Sequence, residues 1–212
     1  MIRLPPACPY ADRLTRTLGA GSLVCFAYIT GMCLAVQFLR GDLDWIATSL
    51  SLYVKGPYGA AVRGSFFAAS LGVAALGAGW HRALERHPHS DAAWALFIAA
   101  AIALCSTATF TTDPTQHPVT LHGAIHQWSA FGTFFFVTTA MLLESWCLIR
   151  RCNWTPRCTE AFTVAVIAVI YFWTFALVKS IPRGLGEKVV IGLVLYWLWR
   201  TGSWLARARR SD

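Results

Sequence analysis

Residues 110–128 read Phe-Thr-Thr-Asp-Pro-Thr-Gln-His-Pro-Val-Thr-Leu-His-Gly-Ala-Ile-His-Gln-Trp, a polar link between two long apolar runs, about Ala92–Phe110 and about Val119–Leu148. Proline lacks an N–H and disfavours helix at the residue before it, so Asp113-Pro114 closes the first run. Each run has at least the roughly 20 residues that an α-helix needs to cross about 30 Å of hydrocarbon. The pair is therefore expected to cross a membrane and return, with the link at one surface.

Four further runs flank this pair, at about Gly19–Leu39, Ala61–Trp80, Ala161–Val178 and Val189–Trp204. Of the 212 residues 56% are hydrophobic and 13% charged, and the mean hydropathy is +0.51. That is too apolar for an ordinary soluble domain. A transmembrane barrel would show alternation in segments of about ten residues, which is not the pattern here. The expected fold is all-α, a six-transmembrane-helix bundle over residues 19–204, between a cytoplasmic segment, 1–18, and a basic cytoplasmic tail, 205–212. Met1–Leu18 lacks a small-residue cleavage site after a short apolar core, so the first run is expected to be retained as a helix.

A net charge of +8 invites a nucleic-acid reading. The basic residues, however, sit at the ends of apolar runs, where they orient helices and meet lipid head groups. Membrane lipids are the expected partners, and nucleic acid is not. Lys and Arg in short loops stay on the cytoplasmic side. With the amino terminus inside, twelve of the 18 basic residues are cytoplasmic. The expected location is the bacterial inner membrane, multi-pass, with both termini in the cytoplasm.

Between the first two spans, Trp45, Ile46, Leu50, Tyr53 and Val54 recur at near-helical spacing, which suits a short helix in the interface with Trp and Tyr at head-group depth. In the second span Ser65, Ser70, Gly72, Gly77 and Gly79 allow close approach and place it in the middle of the bundle. Glu144 lies deep in the fourth span, where snorkelling and an ion pair with Arg150 or Arg151 would accommodate it.

This topology gathers Asp113, His117, His122, His126, Arg63, Lys179, Arg183, Glu187 and Lys188 at one face. Ionisable groups near hydrocarbon are costly and are candidates for function. His122 and His126 are spaced i, i+4, so both imidazoles share a helix face and can meet one divalent metal such as zinc, with Asp113 or His117 as a third ligand. A metal-bound water would then be the nucleophile. The same pair could instead hydrogen-bond backbone groups freed at helix ends, or serve proton or substrate transport. Glu187, in the first turn of the last helix, can pair with Arg183, Lys188 or Arg63, or act as a general acid or base. Trp45, Tyr53, Arg63, Arg183 and Lys188 are the expected substrate-binding residues, with Trp45–Tyr53 roofing the pocket.

Phe110-Thr111-Thr112-Asp113-Pro114, His122-Gly123-Ala124-Ile125-His126 and Gly184-Leu185-Gly186-Glu187-Lys188 together resemble the family catalogued as domain of unknown function 998, a group of small polytopic prokaryotic membrane proteins. The resemblance runs from about Trp45 to Trp199. It implies that Asp113, His122, His126 and Glu187 are characteristic positions, and that Lys188 stands where the family carries Arg, which keeps charge but loses the guanidinium fork. The His pair is also similar, in spacing only, to that of intramembrane hydrolases such as alkaline ceramidases and adiponectin receptors. The leading expectation is acid–base or metal-assisted chemistry on a lipid or isoprenoid-like substrate. The alternative is a small transporter, sensor or membrane assembly partner with no catalysis.

Overall fold

The computed structural model describes residues 12–84, 88–113, 119–152 and 155–208, without the side chains of residues 88, 89 and 152. The chain runs α1 (Arg13–Leu39), a 3-10 segment (Leu50–Val54), α2 (Gly59–Ala83), α3 (Pro88–Thr109), α4 (Leu121–Cys152), α5 (Pro156–Leu177) and α6 (Arg183–Ala206). All six α-helices are long and apolar enough to cross a membrane, and no strand occurs among the described residues. It is a multi-pass membrane protein. Each helix packs on its neighbour in the chain, and α6 closes the ring against α1. At 32 residues α4 spans about 48 Å, well beyond the hydrocarbon thickness.

The two ends of the ring differ. At the end bearing the termini, Leu76, Trp80, Leu84, Phe97, Met141, Leu148, Trp197 and Leu205 form one close-packed cluster. Glycines in α2 permit this closeness: a Cβ on Gly77 would meet Phe97, and one on Gly79 would meet Leu205. Trp197 donates to Ser145 Oγ at 2.9 Å, and Arg200 binds Glu160 through two bonds of 2.8 and 2.7 Å, tying α6 to α4 and α5. Asp12 caps α1 by accepting from Thr15 N–H and also pairs with Arg82. The Thr15 hydrogen bonds, then Arg82, hold its carboxyl down at about 2.

Glu144 departs from the expected ion pair. It is 1% exposed, and its Oε1 is buried with no hydrogen-bond partner among the described residues. Its position shares a helix face with Ala140, Met141 and Leu148, all in the core, so the side chain cannot rise to the surface. Arg150 lies instead over the Trp146 ring, 4.9 Å from its centroid.

The expected interfacial helix forms only over Leu50–Val54, as a 3-10 turn. Upstream, Asp44 accepts the N–H of Ile46 through its side chain and that of Thr48 through its carbonyl, which favours a turn over a helix. Leu50 and Tyr53 are buried, while Trp45 and Ile46 stay exposed. The segment docks onto the bundle and does not float beside it.

Candidate functional site

Opposite the packed cluster, the ring encloses a cavity of about 770 Å³. All six helices contribute to it. Its depth is apolar, with Phe26, Val73, Val137, Val194 and Leu198 on the walls, and its ionisable lining among the described residues is Asp113, His126, Lys179, Arg183 and Glu187. From Arg183 to Leu198 along α6 is roughly 22 Å at 1.5 Å per residue, so the polar mouth and the apolar floor lie far apart.

Three connections build the mouth. In the first, Asp113 accepts Thr120 N–H at 2.7 Å and is within 3.0 and 3.1 Å of Thr120 Oγ1, while Thr120 Oγ1 accepts Gly123 N–H at 3.1 Å. Thr120 is thus the N-cap of α4, and Asp113 anchors the cap. A Cβ on residue 123 would overlap the Asp113 carboxylate, so this site demands glycine. His126 joins α4 back to α3: its Nδ1 is 3.1 Å from Thr107 O and 2.8 Å from Phe110 O. Two carbonyls can only accept, so Nδ1 carries the proton, and Nε2 of the neutral ring is left with a lone pair. His126 is 5% exposed, and no described group hydrogen-bonds that second nitrogen.

The third motif seats the Trp45–Leu50 segment on α6. Leu185 N–H donates to Ile46 O at 2.8 Å, and Lys188 Nζ donates to Trp45 O at 2.7 Å and Thr48 O at 2.8 Å. Glu187 Oε2 accepts Leu50 N–H at 3.1 Å, capping a 3-10 turn whose own Ser49 side chain makes no cap bond. A Cβ on Gly184 would strike the Ile46 and Thr48 carbonyls. Lys188→Met is therefore expected to raise amide exchange around Leu50 by roughly 10- to 100-fold, because charge-assisted bonds contribute about 1.5–3 kcal/mol. Lys188→Arg, which keeps the charge and gains a donor fork, should leave it near the wild-type rate. Unchanged exchange in Lys188→Met, measured by mass spectrometry, would refute this role.

Of the sequence-derived candidates, Asp113, His126, Glu187 and Arg183 meet on the cavity wall. His122 does not line it; the ring is exposed and packs edge-on against Phe110 at 5.4 Å between centroids. Tyr53 is fully buried, donates to Gln37 Oε1 at 3.2 Å and lies under Lys188 Nζ, 5.6 Å from the ring centroid. Burial pushes its phenol up from the ordinary value. Trp45 contributes its carbonyl to Lys188, and Arg63 keeps a buried Nε with no partner among the described residues; neither lines the cavity. His117 lies outside the described residues. Among the described residues no three His, Cys, Asp or Glu side chains form a set able to hold a metal ion, and one nitrogen of His126 is already committed to carbonyls. The described donors therefore do not fit the expected zinc site.

The structure adds Ser49, Ser51, Thr107, Gln127 and Thr133 to the lining, and Lys179, expected at this face, lines it as well. Thr133 had a signal in the sequence: it follows His126 by two helical turns on the same face. The serines had none, since only the docking of their loop brings them over the cavity.

The family model described as Protein of unknown function (DUF998) matches residues 19–203, a wider stretch than the Trp45–Trp199 resemblance. No curated protein and no solved structure matches the chain.

Proposed function

The chain belongs to the DUF998 family of proteins of unknown function, and from that premise we propose that it draws a lipid or isoprenoid-like amphiphile from the bilayer into its cavity and performs acid–base chemistry on the polar end. The observation that carries this reading is the polarity of the cavity itself: apolar along its depth, with every ionisable lining residue among the described ones contributed by the loops and helix ends at one rim. Such a shape suits a long tail and a reactive head. A second groove of about 350 Å³ lies between α1 and α6, lined by Leu34, Gln37 and Tyr196, and shares Leu50, Ile191 and Leu195 with the cavity wall. Leu34 and Tyr196 are exposed on the helix flanks, so this seam suits lateral access from lipid.

In this reading His126 Nε2 takes or returns the proton, and Glu187, held through Oε2 by Leu50, orients water with Oε1. Asp113 acts through the α4 cap as a positioning residue. The charge distribution supports a cytoplasmic membrane with both termini inside and the mouth outward. A transporter would need ionisable groups along a path from both ends. Glu144, the buried carboxylate at the far end, does not line the cavity, which favours an enzyme.

Solvent extraction of the detergent-purified protein followed by mass spectrometry tests the reading. Wild type should carry a long-chain amphiphile that Ala130→Trp, which fills the wall one turn from His126, loses. Val24→Trp, on the exposed outer face of α1, should keep it. Equal lipid content in all three proteins would sink the cavity reading.

A further inference from the structure

We propose that the head group held at the mouth is anionic, a phosphate or carboxylate seated between Lys179 and Arg183; this rests on the amphiphile-binding reading above. Both cations line the cavity and both are exposed at its rim. Neither has a hydrogen bond or ion pair among the described residues, whereas the acids beside them are engaged. Asp113 is held by the N–H and hydroxyl of Thr120 at the start of α4, and Glu187 by Leu50 N–H. Lys188, one turn beyond Arg183 on α6, is used by the carbonyls of Trp45 and Thr48.

Lys179, Arg183 and Lys188 thus stand against the two carboxylates of Asp113 and Glu187, and the two cations that line the cavity are left without a partner among the described residues. Two further features act in the same sense. Arg183 opens α6, whose Pro182 N-cap supplies no side-chain acceptor, so the helix presents its partial positive charge there. His126, only 5% exposed, has Nε2 without a hydrogen-bond partner among the described residues, so this nitrogen can accept from a protonated head or donate to it once charged. An alkyl alcohol or a quaternary ammonium head would leave Lys179 and Arg183 unanswered. A phosphate answers both, with the Arg183 fork available for two parallel bonds.

The test uses three probes on the full chain in detergent, followed by tryptophan fluorescence: farnesyl phosphate, farnesol with the same tail and no charge, and inorganic phosphate with no tail. Wild type should bind farnesyl phosphate at least about tenfold more tightly than farnesol. The double variant Lys179→Gln/Arg183→Gln should lose that advantage while binding farnesol as before, which also shows that it is folded. Arg157→Gln, removing one charge at the other end of the bundle, should keep it. Equal affinity of wild type for farnesyl phosphate and farnesol would overturn the anionic head and leave the cavity reading standing. Inorganic phosphate binding as tightly as farnesyl phosphate would overturn it too, assigning the cations to a free anion. Binding of neither farnesyl probe would overturn the cavity reading and this inference with it.

Discussion

Gly123→Ala is expected to lower the stability of the protein by about 3 kcal/mol, the combined scale of overpacking and of a lost charge-assisted hydrogen bond. The added Cβ would occupy the position of the Asp113 carboxylate. Either the carboxylate leaves and Thr120 loses its anchor, or α4 shifts away from α3 and strains the His126 bonds to Thr107 and Phe110. A thermal melt in detergent should fall by roughly 6–12 °C for a chain of this size. Gly21→Ala and Gly31→Ala are the matched controls, because a Cβ there meets nothing within 4 Å. They should melt at or above the wild-type temperature, since alanine favours helix over glycine by up to about 1 kcal/mol. A Gly123→Ala protein that melts with the controls would remove Asp113 from the cap.

His126→Asn separates the structural bond from the chemistry. The asparagine amide places an N–H near the position of Nδ1 and can keep one or both carbonyls of Thr107 and Phe110 satisfied, but it offers no nitrogen base where Nε2 stood. Stability should remain within about 1.5 kcal/mol of wild type, the net scale of one hydrogen bond. Turnover of the amphiphile recovered by extraction should fall roughly 10²- to 10⁴-fold, the usual share of a general acid or base. His126→Ala should lose both, as two buried carbonyls go unpaired. An asparagine variant with wild-type turnover would refute the proton-transfer role. One as unstable as the alanine variant would refute the tautomer argued from the two carbonyls.

The three motifs that single out this family were legible as sequence, yet their physical meaning was not. Asp113, His122 and His126 read as a metal or catalytic cluster because spacing alone reports which side chains share a helix face. It does not report that Thr120 would take the carboxylate or that two carbonyls would take one imidazole nitrogen. His122 and His126 lie one turn apart, but His126 turns to α3 while His122 packs on Phe110 in the open. Glu187 reads from sequence as a partner of Arg183, Lys188 or Arg63 or as a general acid or base, and Lys188 as a substrate-binding residue, yet both serve the backbone of a loop more than 130 residues earlier.

The six apolar runs determined by themselves that this chain makes six helices long enough to span a bilayer. Helix length and hydrophobicity are local properties, and hydrocarbon leaves the backbone no alternative but to satisfy its hydrogen bonds within each segment. Tertiary structure alone decided that α6 closes on α1, that a cavity remains at one end, and that Glu144 is sealed in the other. Those outcomes depend on how side chains from distant segments fill shared volume and on which donor reaches which acceptor first, relations that no single stretch of sequence contains.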